Sequence, residues 1–205
     1  MKILIACEES QAICIAFRDR GHAAYSCDIQ PCSGGHPEWH IQDDVLKYLD
    51  MGWDMIIAHP PCTYLSNVGA VRLYPKKGEI NNERYEKGLE AKKFFMRFFT
   101  VKCDKLCIEN PIPLLIYGLP KYNQIIQPYE YGHPFQKKTC LWLRGLPKLQ
   151  PTNIITGDVS SWVSGGTKDN KGLPRKNKGT IFRNSVIRSK TFQGIAAAMA
   201  EQWVF

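Results

Sequence analysis

No stretch of this 205-residue chain approaches the roughly 20 consecutive apolar residues that a bilayer-spanning helix needs. The opening MKILIACEES is too short in apolar residues for a signal-peptide core. Membrane insertion and export are not expected, and the chain is read as cytoplasmic. Internal repeats are absent, which excludes a solenoid. Eight Cys in a reducing compartment do not make a disulfide framework; they point to buried, reactive or metal-bound thiols. Acid is scarce in one place. Between Gly165 and Lys190 a single acid, Asp169, stands against eight bases, so nearly all of the net charge of +8 lies in that stretch. Its Gly- and Asn-rich composition suits either a polyanion partner or a solvated flexible loop.

What is present is an ordinary globular balance, 44% hydrophobic and 22% charged, enough for one domain over residues 1–205. The spacing predicts a strand over Ile3–Ala6, a helix over Gln11–Arg20 stopped at Gly21, and a strand over Ala23–Cys27 ending at Asp28. A short helix is expected over Asp44–Leu49 and a buried strand over Asp54–Ala58. A helix follows over Asn82–Val101, with Tyr85, Leu89, Phe95, Phe98 and Phe99 on its apolar face. Strands over Lys105–Ile108 and Thr139–Leu143 and a closing helix over Gly194–Trp203 complete the series. This alternation predicts a doubly wound, mostly parallel sheet with helices on both faces, a three-layer α/β/α domain. A basic, Gly/Pro-rich excursion is expected at about 147–180.

In such folds ligands bind at the carboxyl ends of the strands. Here those ends carry Glu8 and Glu9, Asp28, Pro60-Pro61-Cys62 and Glu109-Asn110-Pro111. Two prolines fix the backbone before Cys62, so its sulfur has a set direction, which suits a nucleophile as well as a buried structural thiol. Glu109 ends the neighbouring strand on the same sheet edge. A thiolate and an acid are what attack on a pyrimidine ring requires: addition at ring carbon 6, with the acid at ring nitrogen 3.

Four ordered segments carry a resemblance. His59-Pro60-Pro61-Cys62-Thr63 is similar to a Pro-Cys nucleophile loop, and Ile108-Glu109-Asn110-Pro111 to a Glu-Asn acid loop. The strand Gln136-Lys137-Lys138-Thr139-Cys140-Leu141-Trp142-Leu143 is similar to a Gln-x-Arg-x-Arg strand. Arg183-Asn184-Ser185-Val186 is similar to a late Gly-Asn-Ser-Val element. Together they resemble the DNA cytosine-5 methyltransferase family, in a minimal, phage-like form without a full target-recognition domain. The chain departs from that pattern at Ala6-Cys7-Glu8-Glu9-Ser10, where the family has a Gly-rich turn. Lys138 and Cys140 stand where the two Arg are expected.

The resemblance implies a Rossmann-like methyltransferase fold and methyl transfer to carbon 5 of cytosine in DNA through a covalent cysteine adduct. It implies Cys62, Glu109 and Lys138 as the catalytic residues. The implied cofactor is S-adenosyl-L-methionine, bound by Cys7, Glu8, Asp28, Ile29, Asp44, Pro60, Asn184 and Ser185. Asp44 reads equally well as a helix cap. Lys168, Lys171, Arg175, Lys176 and Lys178 are the candidate DNA contacts, with room for a separate specificity partner, in a bacterial or phage-infected host cytosol. Two other readings stay open: an inactive methyltransferase-derived nucleic-acid-binding protein, and an enzyme acting on a free pyrimidine nucleotide. Cys27, Cys32, His36 and His40 offer zinc-type donors, but not at the spacing of a zinc site; no metal is expected.

Overall fold

Short apolar runs bounded by polar turns form parallel strands buried on both faces. The computed structural model describes residues 1–162 and 189–204. Its strands β1 (Lys2–Ala6), β2 (Ala23–Asp28), β3 (His40–Gln42), β4 (Met55–Ala58) and β5 (Lys105–Pro111) lie parallel, in the order β3-β2-β1-β4-β5. Beyond β5 come β6 (Gln124–Ile126), β7 (Phe135–Gln136) and β8 (Thr139–Arg144). β8 pairs antiparallel with β5, and β6 antiparallel with β8, closing a seven-stranded sheet. β7 leaves that sheet and pairs with β9 (Ser160–Ser161).

The helices are α1 (Ala12–Arg18), α2 (Ala70–Leu73), α3 (Asn82–Arg97) and α4 (Gln193–Gln202). Alternation along the strands sends Ile3, Ile5, Met55, Ile57 and Cys107 to one face, under α1 and α4. Leu4, Ala6, Ile56, Ala58 and Ile108 face the other way, against Phe95 and Phe98 at the end of α3. The sheet is therefore the middle of three layers, and the doubly wound architecture expected from the alternation is the one that forms. Among the described residues no helix is long and apolar enough to cross a membrane.

Several local readings change. The segment expected to be helical over Asp44–Leu49 is one 3₁₀ turn, Val45–Lys47, capped by the Asp44 carboxylate. α3 stops at Arg97 and continues as a 3₁₀ turn, where the Arg144 guanidinium donates to the carbonyls of Phe99, Val101 and Cys103. β5 does not end at Ile108. Pairing with β8 carries it on through Glu109, Asn110 and Pro111, opposite Leu141, Cys140 and Thr139. Residues 147–162, read as the start of an excursion, stay on the body: Leu149 is buried and exchanges two hydrogen bonds with Gln124.

α3 lies close to the 3₁₀ turn Leu115–Tyr117 because Gly88 has no side chain. A Cβ there would stand 2.1 Å from the Tyr117 hydroxyl, and Tyr117 is buried and stacked on Tyr85. Alanine gains about 1 kcal/mol of helix propensity, but overpacking a rigid site costs roughly 1–3. Gly88→Ala is expected to show a net loss of up to about 2 kcal/mol in denaturant unfolding. A gain would show that the Tyr117 ring gives way.

Candidate active site

The strand order reverses direction between β1 and β4, the switch point at which ligands bind in doubly wound sheets. On the β4 side the chain runs through His59, Pro60, Pro61 and Cys62 into a tight turn. The Cys62 carbonyl accepts from Leu65 N at 3.1 Å and Ser66 N at 3.0 Å. Proline carbonyls have no companion N–H to anchor them, and this loop is anchored by its neighbours instead. Asn110 Nδ2 donates to the Pro60 carbonyl at 2.6 Å, and His59 Nδ1 lies 2.9 Å from Glu109 Oε2. Glu109 and Asn110 are consecutive on β5 and face opposite sides of the sheet, so they hold the loop from both. Arg84 of α3 donates to the Thr63 carbonyl at 2.7 Å and stacks over Tyr64. Cys62 itself is half-buried.

Glu109 is largely buried, and its carboxyl feels opposing influences. Burial pushes it up. The His59 hydrogen bond and attraction, the Lys137 charge and a hydrogen bond with Thr139 outweigh that and hold it below the usual carboxylate range. A small cavity beside it is lined by Glu109, Lys137, Thr139, Phe192, Ile195 and Met199. The lysine at this carboxylate is Lys137. Lys138, the expected one, is exposed. Lys137 and Lys138 form the link between β7 and β8, where Lys137 N donates to Gln127 Oε1 at 3.0 Å and Lys137, not Lys138, lines the cavity.

On the β1 side the missing glycines do not remove the turn. Cys7 and Gln11 adopt left-handed backbone at φ 60 and 58, at a cost of about 1–2 kcal/mol each. Gln11 offsets part of this through its side-chain bonds to Ser26 Oγ and to the N–H and carbonyl of His36. Cys7 N donates to the Cys27 carbonyl at 2.7 Å. Burial, and then the nearby Asp28 charge, keep the Cys7 thiol protonated. Cys14, Cys27, Cys103, Cys107 and Cys140 are likewise pushed up by burial. They are core thiols, not nucleophiles.

Glu8 is 4% exposed, and its carboxylate accepts from Ile13 N and Cys14 N at the start of α1. The position a ligand phosphate takes in dinucleotide folds is thus filled by the protein's own carboxyl group. Around the same edge stand Glu9, Asp28 and Asp44, with Ile29 74% exposed and Pro60 buried. This donor set excludes a pyrophosphate and fits a cofactor with an adenosine and a positively charged sulfonium and ammonium. Asp28 Oδ1 accepts from Gln30 N, and Asp44 caps its 3₁₀ turn. Asn184, Ser185, Lys168, Lys171, Arg175, Lys176 and Lys178 lie outside the described residues. Where the described chain resumes, Lys190 donates to Ser33 Oγ at 2.8 Å beside Glu9, against the β1 turn.

The zinc-type residues do not converge. Cys27 donates to the Asp43 carbonyl, His36 stacks on Trp39, and His40 bonds Ser26 Oγ and the Gln30 carbonyl. Among the described residues no group of three or more ligating side chains comes together. Sequence reasoning missed three residues at the site: His59, Asn110 and Lys137. His59 and Asn110 lay inside the quoted loops, but only strand pairing shows that His59 meets Glu109 and Asn110 meets Pro60.

Glu8 permits a test of this edge. Burial raises its carboxyl above the usual range, against the attraction of His59 and the two helix N–H groups. A carboxyl whose folded pKa exceeds its unfolded value contributes stability at acid pH and loses it as pH rises through the folded pKa. Glu8→Gln keeps an accepting oxygen and removes the titration. Its melting temperature is therefore expected to gain on wild type as pH rises from about 5 to about 8. Glu8→Ala, which leaves two buried N–H groups unpaired, is expected to cost about 1–3 kcal/mol. A constant offset between Gln variant and wild type would refute the raised carboxyl.

No protein-family model matches the chain, and no curated protein matches it. Solved structures do. A prophage-encoded E. coli chain assigned as a DNA modification methyltransferase aligns at 12% identity and a TM-score of 0.44, over 78% of this chain and 52% of that one. A mutant of Spodoptera frugiperda DNMT2 aligns at 14% identity and a TM-score of 0.36, over 76% of this chain and 55% of its own. The chain thus spans about half the length of the solved structures it is similar to.

Proposed function

We propose that this chain transfers a methyl group from S-adenosyl-L-methionine to carbon 5 of cytosine in DNA, through a covalent adduct on Cys62. One observation carries the reading: Glu109 and Asn110 clamp the His59-Pro60-Pro61-Cys62 loop, so an acid and a thiol rise from adjacent strand ends on a rigid frame. Such rigidity matters because misplacement by about an ångström costs roughly a hundredfold in rate.

In the proposed reaction the Cys62 thiolate bonds to ring carbon 6. The displaced electron pair moves through the ring, and ring nitrogen 3 takes a proton from Glu109. The enamine so formed is nucleophilic at carbon 5. Lys137, in the same cavity, adds positive charge where the ring gains electron density. The cofactor supplies an electrophilic methyl group on sulfur, and Cys7, Glu8, Asp28, Ile29, Asp44 and Pro60 would hold it, with Asn184 and Ser185 completing the pocket. Once carbon 5 has taken the methyl group, its proton leaves to solvent, the thiolate is expelled from carbon 6 and the ring nitrogen 3 proton returns to Glu109, which restores the ring and the enzyme. Duplex DNA must surrender the base from its stack to reach this edge. Lys168, Lys171, Arg175, Lys176 and Lys178 are suited to its phosphates, since Lys and Arg bind them without reading sequence.

The test is incubation with methyl-labelled S-adenosylmethionine and, separately, DNA, RNA and free pyrimidine nucleotides, followed by nucleoside analysis. Label in 5-methylcytosine from DNA supports the reading. Label on free nucleotide transfers the site to a nucleotide enzyme, and DNA binding without any transfer marks an inactive binding protein.

A further inference from the structure

His59 stands at the meeting point of three strand ends. Its Nδ1 is 2.9 Å from Glu109 Oε2, with the two side chains only 11% and 16% exposed. The end of β1 meets it as well: His59 N donates to the Ala6 carbonyl at 2.9 Å. Its other ring nitrogen, Nε2, is buried and has no hydrogen-bond partner among the described residues. An ionised carboxylate has no proton to give, so the hydrogen in the short contact belongs to Nδ1. A hydrogen on Nε2 would be a buried donor without an acceptor. Both facts select one tautomer, with Nδ1–H aimed at Glu109.

We propose that His59 is the positioning residue of the acid: it fixes Oε2 of Glu109 and, together with Thr139, orients the carboxyl so that Oε1 is presented to the base. The inference rests on the reading of Glu109 as the acid at ring nitrogen 3. When the Oε1 proton passes to that nitrogen, Glu109 becomes a carboxylate, and the Nδ1–H bond strengthens because a charged acceptor binds a donor better than a neutral one. The imidazole gives up no proton. Its contribution grows as the transition state is approached, which raises turnover without tightening substrate binding.

Two measurements test this. His59→Ala is expected to lower turnover about tenfold to a hundredfold, the worth of one hydrogen bond to a developing charge. KM for DNA and for S-adenosylmethionine should change by less than about threefold. His59→Asn, whose amide N–H stands near the place of Nδ1, should recover most of the loss. Wild-type turnover in the Ala variant, or no recovery in a folded Asn variant, would overturn the proposal. Independently of activity, ring ¹⁵N shifts of labelled His59 should report the Nδ1–H tautomer in wild type and the Nε2–H tautomer in Glu109→Ala. An Nε2–H tautomer in wild type would also overturn it. Should the wild-type chain methylate nothing, the reading of the site fails, while the tautomer still decides whether His59 holds Glu109.

Discussion

Cys62→Ser should abolish the covalent complex that wild type forms with 5-fluorocytosine DNA in the presence of S-adenosylmethionine. Fluorine at carbon 5 cannot leave as a proton does, so the adduct is trapped after methyl transfer. A serine hydroxyl is a far weaker nucleophile than a thiolate, and turnover should fall by at least about a thousandfold. Folding should be spared. Cys62 is half-buried, and the turn is held through its own carbonyl and through the Asn110–Pro60 bond. A change of one atom at such a position usually stays within about 0.5 kcal/mol. Denaturing gels of the trapped complex and a thermal melt decide the matter together. Equal trapping by a folded Ser variant would remove Cys62 from the chemistry.

Glu109→Gln should lower turnover about a hundredfold to ten-thousandfold, the usual worth of general acid help. Gln keeps the shape and can still bond ring nitrogen 3, so DNA affinity should change far less. The pH dependence separates this from mere disturbance. His59, Lys137 and Thr139 hold the Glu109 carboxyl below its ordinary range against the pull of burial. At neutral pH it is therefore ionised, and ring nitrogen 3 of cytosine is itself an acceptor. Two acceptors cannot meet without a proton, so docking the base takes one up. The reactive form needs Glu109 protonated and Cys62 ionised together, so for wild type kcat/KM should be bell-shaped in pH and fall on its alkaline side by up to about tenfold per unit. In the Gln variant, which brings its own N–H, the fall should flatten. A turnover loss under about threefold, or an unchanged pH profile, would take Glu109 out of the mechanism.

Much of this was legible in the chain. The short apolar runs Ile3–Ala6 and Met55–Ala58 could only be strands buried on both faces, and their alternation with helical segments led to the doubly wound sheet. Because ligands in such sheets meet the strand ends, the residues after each run were already the candidate site. Periodicity and punctuation carry that information, and both are local properties of the sequence.

Contacts between distant segments are not local, and there the reading stopped. The antiparallel pairing of β8 lengthened β5 and put Glu109 and Asn110 inside a strand, where they can straddle the Cys62 loop. The link between β7 and β8 brought Lys137 and not Lys138 to the carboxylate, a matter of one residue that no resemblance of motifs could decide. The left-handed backbone at Cys7 and Gln11 is likewise tertiary, since Gln11 is held there by Ser26 and His36 from other parts of the chain. By itself the sequence determined which residues can do chemistry and at which edge of the sheet they stand. Which of them touch was decided only by folding, because hydrogen bonds between strand ends depend on register and direction, and neither is written in any single segment.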